Sequence, residues 1–151
     1  GKIHDVVIGT PSAGPIADDD NTPEYQKFVA EYQKLPNAFP SPSLFAHGYY
    51  VNMEAALKGL QDVNGDLSDG GKKLRAALSS MVLDTPTGKV HLDKNRNAVA
   101  DMFLTEVTEK PDGTLYNKLI KVIPQVNQTL GIPEDEFLKL GKVTRDNPSC
   151  P

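Results

Sequence analysis

The sequence predicts an α/β chain, on three observations. Ile3 to Gly9 is a short run with β-branched residues that ends in glycine. Three later segments repeat apolar residues at three- and four-residue spacing, and the stretch from Lys89 onward alternates apolar with polar side chains. The expected order is strand, helix, helix, helix, then strands. With 151 residues, 38% hydrophobic and 24% charged, the chain is long enough for one domain with a modest core.

Taken in order, Ile3 to Gly9 reads as a strand, and Gly9 to Pro15 as a loop of small residues. Such a loop lets backbone amides approach a ligand, yet it matches neither a phosphate-loop nor a dinucleotide fingerprint, and a plain connection is the simpler reading. Asp18, Asp19 and Asp20 cannot converge on one point unless the loop folds around a cation, so a solvated loop is expected there. Asn21 or Thr22 caps a helix with Pro23 and Glu24 in its first turn and Tyr25, Phe28, Val29 and Tyr32 as its buried stripe.

The proline-rich stretch Leu35 to Pro42 ends that helix. A longer one follows from Pro42 to Val63, capped by Ser41 or Ser43. Its stripe of Tyr49, Met53, Ala56, Leu57, Leu60 and Val63 is expected to face a core. Tyr50 lies off the centre of that stripe, beside His47 and Gly48, where an aromatic with a polar tip suits a cleft wall; a core helix with a tyrosine at its margin is the alternative. Asp62, Asn64 and Asp66 imitate the start of a calcium loop, but Leu67 and Lys73 stand where it needs Gly and Glu, so a calcium site is rejected.

A third helix, starting after Ser68 or Asp69, has the stripe Leu74, Ala77, Leu78, Met81 and Val82. Pro86-Thr87-Gly88 then turns the chain into a short strand, Lys89 to Asp93. Val99 to Thr108 and Thr114 to Ile123, joined by Pro111-Asp112-Gly113, read as a β-hairpin. A short helix opens at Pro133 to Glu136 and closes near Lys139 and Gly141.

Composition and motifs exclude several classes. The net charge is -4, with no block of Lys or Arg of the kind nucleic acid demands. The apolar runs are too short to cross a bilayer, and nothing at Gly1 resembles a leader, although a cleaved one would leave no trace. His4, His47 and His91 fall in different elements without partners at ligand spacing, so no metal site is expected, and no cofactor. No serine sits in a nucleophile elbow, and nothing requires catalysis. Asn127-Gln128-Thr129 fits a glycosylation pattern that matters only in a eukaryotic secretory setting. Cys150, the single cysteine, could be free, could pair between molecules, or could have its partner outside this chain.

Phe45-Ala46-His47-Gly48-Tyr49-Tyr50, followed by Ala55-Ala56-Leu57-Lys58-Gly59-Leu60, resembles the late helix of type I periplasmic substrate-binding proteins, the branched-chain amino-acid binding family of ABC importers. Val7-Ile8-Gly9-Thr10-Pro11 resembles a strand and crossover of that family. Tyr25-Gln26-Lys27-Phe28 through Tyr32 resembles the helix that comes next, and Thr85 to Asp93 with its hairpin resembles the closing region. Together these pieces cover nearly the whole chain.

The resemblance implies the C-terminal portion of a two-lobe, hinged fold of parallel sheets flanked by helices. In that frame residues 1-10 are a strand of the distal lobe, 11-97 part of the proximal lobe, 98-124 a hairpin returning to the distal lobe, and 125-151 a tail. Gly9 to Pro15 would be a hinge strand. Tyr50 matches the position of a cleft tyrosine and is flanked by Tyr49 and His47; Pro11 and Ser12 complete the expected ligand-binding set. Gly48-Tyr49 replaces the family's small polar pair, which makes the cleft more aromatic and turns the expected ligand from a branched-chain amino acid toward an amide, an aromatic acid or another small carboxylate. The implied partners are that small molecule, an inner-membrane ABC permease and the remaining N-terminal part of the same protein. The implied location is the periplasm, after leader cleavage, or a membrane-anchored extracellular position in a Gram-positive organism. An oxidising compartment would let Cys150 pair with a cysteine outside this chain. A sensory module of the same fold is the second reading, and an α/β hydrolase the third.

Overall fold

Strand β4, Ala98–Glu109, organises the chain, because three other strands pair with it. The computed structural model describes residues 4–141 and 144–146. Its elements are α1 (His4–Val7), β1 (Pro11–Gly14), α2 (Pro23–Tyr32), α3 (Leu44–Asp62), α4 (Lys72–Ser80), β2 (Val82–Thr85), β3 (Gly88–Leu92), β4, β5 (Leu115–Val126) and α5 (Glu134–Lys139). The strands run β1-β4-β3-β2, with β5 also on β4. Every pairing among the described residues is antiparallel. The architecture is mixed α/β with an open sheet. No helix among the described residues is long and apolar enough to cross a membrane.

The first strand lies later than the sequence suggests. Of the run Ile3 to Gly9, Ile3 is outside the described residues, and His4–Val7 form a helical turn, with Asp5 at its positive end. Gly9, at φ +83°, stops the turn, and the Thr10 amide donates to Val7 O at 3.0 Å. The strand is instead Pro11–Gly14, drawn from the small-residue loop, with Ser12 opposite Thr105 and Gly14 opposite Phe103. Pairing with a strand far along the chain decides this, and local β-branching does not.

The acidic loop is not simply solvated either. Asp18 accepts from the Asn117 amide at 2.7 Å and from its Nδ2 at 3.2 Å, and Ser41 Oγ donates to the same carboxyl group. Asp19 accepts from the Leu119 amide at 2.7 Å. Asp20 is buried and takes the Thr22 amide at 2.9 Å, so the three carboxylates close the free edge of β5 and the entry of α2. The helix ends follow the expected chemistry more closely. Ser43 caps α3 by accepting from the Ala46 amide, and Asp69 accepts from the Lys72 and Lys73 amides ahead of α4. α4 ends at Ser80, and Val82, expected in its stripe, opens β2, where Leu83 and Thr85 turn inward.

The buried apolar side chains are Ala17, Tyr25, Phe28, Leu83, Val99 and Phe103. The expected core face of α3 is not among them. Tyr49, Met53 and Leu57 are 76%, 61% and 60% exposed, while His47 and Gly59 are the buried positions of that helix. The inward side is chosen by close packing on α4: a Cβ on Gly59 would lie 2.9 Å from Leu78 Cδ2 and 3.0 Å from Leu74 Cδ1, so a larger residue there would force those leucines to repack.

Two outcomes follow from this packing. In the full-length protein Asp18→Ala leaves a strand-edge amide and a hydroxyl without their acceptor and should lower stability by about 2 kcal/mol in urea denaturation, against less than about 0.5 kcal/mol for exposed Asp5→Ala. With so apolar a row uncovered, the 151-residue chain by itself should bind a hydrophobic dye and melt without a sharp transition; a cooperative melt with no dye binding would contradict this.

Candidate ligand-binding site

The sequence-derived site residues do not meet at one point. Ser12, on β1, shares a cavity of about 310 Å³ with Gly14, Pro15, Ser43, Phe45 and Thr105. Pro11 sits one residue earlier on the same strand, opposite Glu106. Tyr50 lies one to two turns along α3 from that cavity. Its ring packs 5.0 Å from Phe28, and it edges a smaller hollow of about 190 Å³ with Glu54, Thr85 and Pro86. Tyr49 faces outward with Met53 and Leu57.

His47 belongs to neither surface. It is 5% exposed, its Nε2 and Thr87 Oγ1 share a hydrogen bond of 3.0 Å, and its ring stands edge-on to Phe28 at 5.8 Å. Helix geometry explains the split: two residues rotate the side chain by about 200°, so Phe45 and His47 occupy opposite faces. One face of the α3 start is anchored and the other presented.

Phe45 is absent from the expected site although it stands one turn before Tyr49 on the same face of α3, since the stripe is counted only from Tyr49 onward. It is 70% exposed at the mouth of the β1 cavity. Its presence in the motif Phe45 to Tyr50 and its place in the first turn of a capped helix are the signals that could have found it. The amides of Leu44 and Phe45 precede Ala46, whose N–H Ser43 takes at 3.2 Å, and so lie at the start of the helical ladder, where N–H groups and the helix dipole favour an anion. Asp18 also lines this cavity, its carboxylate held by the neutral donors of Asn117 and Ser41, which fix its position without cancelling its charge.

A larger cleft of about 590 Å³ separates the acidic loop from the β2–β3 turn. Asp19, Asp20, Glu24, Asp84 and Asp101 line it against Lys89 alone among the cations, a potential that repels a carboxylate. No group of three metal-ligating side chains occurs among the described residues.

Two titrations bracket the stability of this region. Burial holds the His47 imidazole below its ordinary range. The unfolded imidazole therefore takes up its proton first, at about pH 6.5, and the contribution present above that pH is lost as the pH falls through the folded value. Burial, with the Asp18 and Asp20 charges next, pushes the Tyr25 hydroxyl up to about 12, so its contribution is present below the unfolded value of about 10 and is lost as the pH rises through 12. In the full-length protein the melting midpoint should drop between about pH 7 and pH 5.5, and His47→Gln should flatten that drop; an unchanged slope would assign it to other groups.

A periplasmic binding protein family profile matches residues 4–114. The Leu/Ile/Val-binding protein homolog 6 of Brucella abortus is 32% identical over 105 residues, which are 67% of this chain and 26% of that protein. A solute-binding protein of an ABC transporter from Rhodopseudomonas palustris, solved with p-hydroxybenzoic acid, superposes with a TM-score of 0.73 at 23% identity, over 86% of this chain and 35% of its own. Another from R. palustris, solved with 4-hydroxybenzoate, gives 0.71 at 27% identity, over 82% and 33%. The chain thus spans about a quarter of that relative's length and about a third of those solved chains. These similar proteins are transporter binding proteins, and with well over half of its residues inside the family profile, the chain belongs to the type I periplasmic binding proteins.

Proposed function

We propose that this chain supplies one wall of the cleft in the solute-binding component of an ABC importer, which captures a small carboxylate-containing ligand and delivers it to a membrane permease from the periplasm. The observation that carries the reading is the cavity shared by Ser12 on β1 and Phe45 on α3. It offers helix-start amides for a carboxylate and an exposed phenyl ring for the body of the ligand. The acidic cleft nearby has the wrong sign for such a ligand.

Between an amino acid and an aromatic acid, the exposed ring supports the aromatic acid, as does the 27%-identical protein solved with 4-hydroxybenzoate. The Leu/Ile/Val-binding relative supports the amino acid. Tyr50 and Tyr49 extend the aromatic edge, and His47 holds it from behind. In this reading residues 98-124 return to a distal lobe, and the Gly9 to Pro15 segment, paired to β4, is one of the hinge strands about which the lobes close. Closure follows ligand only through contacts that differ between open and closed states. The activity is capture rather than catalysis; a sensory module of the same fold would use the same wall.

Calorimetric titration of the full-length protein with a panel of amino acids and aromatic acids decides the ligand class. Tight 4-hydroxybenzoate binding is expected, and tight leucine binding with none for aromatic acids would sink the aromatic reading. Phe45→Ala should weaken binding by about ten-fold or more, and Tyr50→Ala by less, because its ring already packs on Phe28. Full affinity in Phe45→Ala would move the site elsewhere.

A further inference from the structure

Resting on the reading of Phe45 and Ser12 as the two sides of the ligand wall, we infer that His47 and Thr87 form a clasp that sets the distance between those sides, Thr87 being a positioning residue that never meets the ligand. Phe45 and Ser12 stand on elements with no strand pairing to each other: Phe45 is on α3, and Ser12 is on β1, which pairs with β4 at Phe103 to Glu106. Asp18 fixes the approach to α3 at Ser41, two residues before its cap, and the helical turns that follow are tied to the sheet on their inner face. The His47–Thr87 hydrogen bond, 3.0 Å and part-buried, reaches from the face of α3 opposite Phe45 to the β2–β3 turn.

The turn is rigid enough to act as an anchor. Thr85 Oγ1 donates to Gly88 O at 2.6 Å and accepts from the Thr87 amide at 3.3 Å, which closes the two-residue loop Pro86-Thr87 on itself. Pro86 fixes its own φ. Gly88 sits at φ +109°, and a Cβ there would come within 3.0 Å of Asp101 Oδ2, so the turn also rests against β4. Asp101 Oδ1 in turn accepts from the Gln125 amide at 2.9 Å and from its Nε2 at 3.0 Å, tying that point of β4 to β5. Both sides of the cavity are therefore referred to β4, Ser12 through the β1 ladder and Phe45 through His47, Thr87 and the turn. Phe28, edge-on to the imidazole at 5.8 Å, blocks the ring from swinging away.

Positioning predicts a signature that packing alone does not. Thr87→Val keeps the volume and removes the hydroxyl, whereas Thr87→Ser restores the hydroxyl. In the full-length protein, with 4-hydroxybenzoate and leucine as calorimetric probes, Thr87→Val should weaken whichever probe the parent binds by about five-fold. Thr87→Ser should return to within about two-fold, and Thr87→Val should cost no further affinity in a His47→Gln background. Amide hydrogen exchange in the first turns of α3 should quicken in Thr87→Val while α4 and β5 keep their protection. Unchanged exchange in Thr87→Val overturns the clasp, and faster exchange with unchanged affinity overturns its role in binding. If the parent protein binds neither acids nor amino acids, the importer reading falls, and the exchange experiment alone decides whether the clasp exists.

Discussion

The backbone of β4 has to be paired along almost its whole length, and that requirement positions nearly everything else. Val99, Phe103 and Thr105 are buried, so their peptide groups have to find partners within the protein. β3 takes Ala98 and Val99, β1 takes Phe103 to Glu106, and β5 follows from Ala100 to Glu109. Two register shifts, at Ala100 to Met102 and at Leu104 to Thr105, interrupt the ladder with β5, each time with one extra residue on β5. One strand thus serves the β2–β3 hairpin at one end and β1 further along.

Carboxylates finish what the ladders leave open. β5 would otherwise present a bare edge, and Asp18 and Asp19 accept its amides at Asn117 and Leu119. The same Asp18 also accepts from Ser41, two residues before the cap of α3, so the edge cover doubles as a fixed route from the acidic loop to the helix that carries Phe45. Charge-assisted bonds of this kind are stronger than neutral ones, and here they replace a strand.

Helix α3 has two apolar sides. The inner one packs through His47 and Gly59, the second of these admitting Leu74 and Leu78 of α4 at close range. The outer one is the row Phe45, Tyr49, Met53 and Leu57, at four-residue steps and open to solvent in this chain. A helix apolar on more than one side suits a larger body than the one described, in keeping with relatives about two and a half times as long. The proposed ligand wall is the end of that outer row nearest the cap, where the helix start sets backbone amides beside an aromatic ring.

Much of the local structure was legible in the sequence because its causes are local. Pro23 and Glu24 open α2, Ser43 caps α3, Pro111-Asp112-Gly113 joins the long hairpin, and Pro133 to Glu136 start α5, each through chemistry confined to a few neighbouring residues. The ordered resemblance of Val7 to Pro11, Tyr25 to Tyr32, Phe45 to Leu60 and Thr85 to Asp93 carried the family as well. What the tertiary structure alone decided concerns partners distant in sequence. β1 exists because β4 lies beside it, the three aspartates bind because β5 has a free edge, and the inner side of α3 is chosen by Gly59 meeting Leu78 rather than by the most apolar stripe. For the same reason Tyr50 and Ser12, both expected from the sequence at one site, line separate hollows, and Phe45 takes the place beside Ser12: periodicity reports which residues share a face, whereas only packing reports what that face meets.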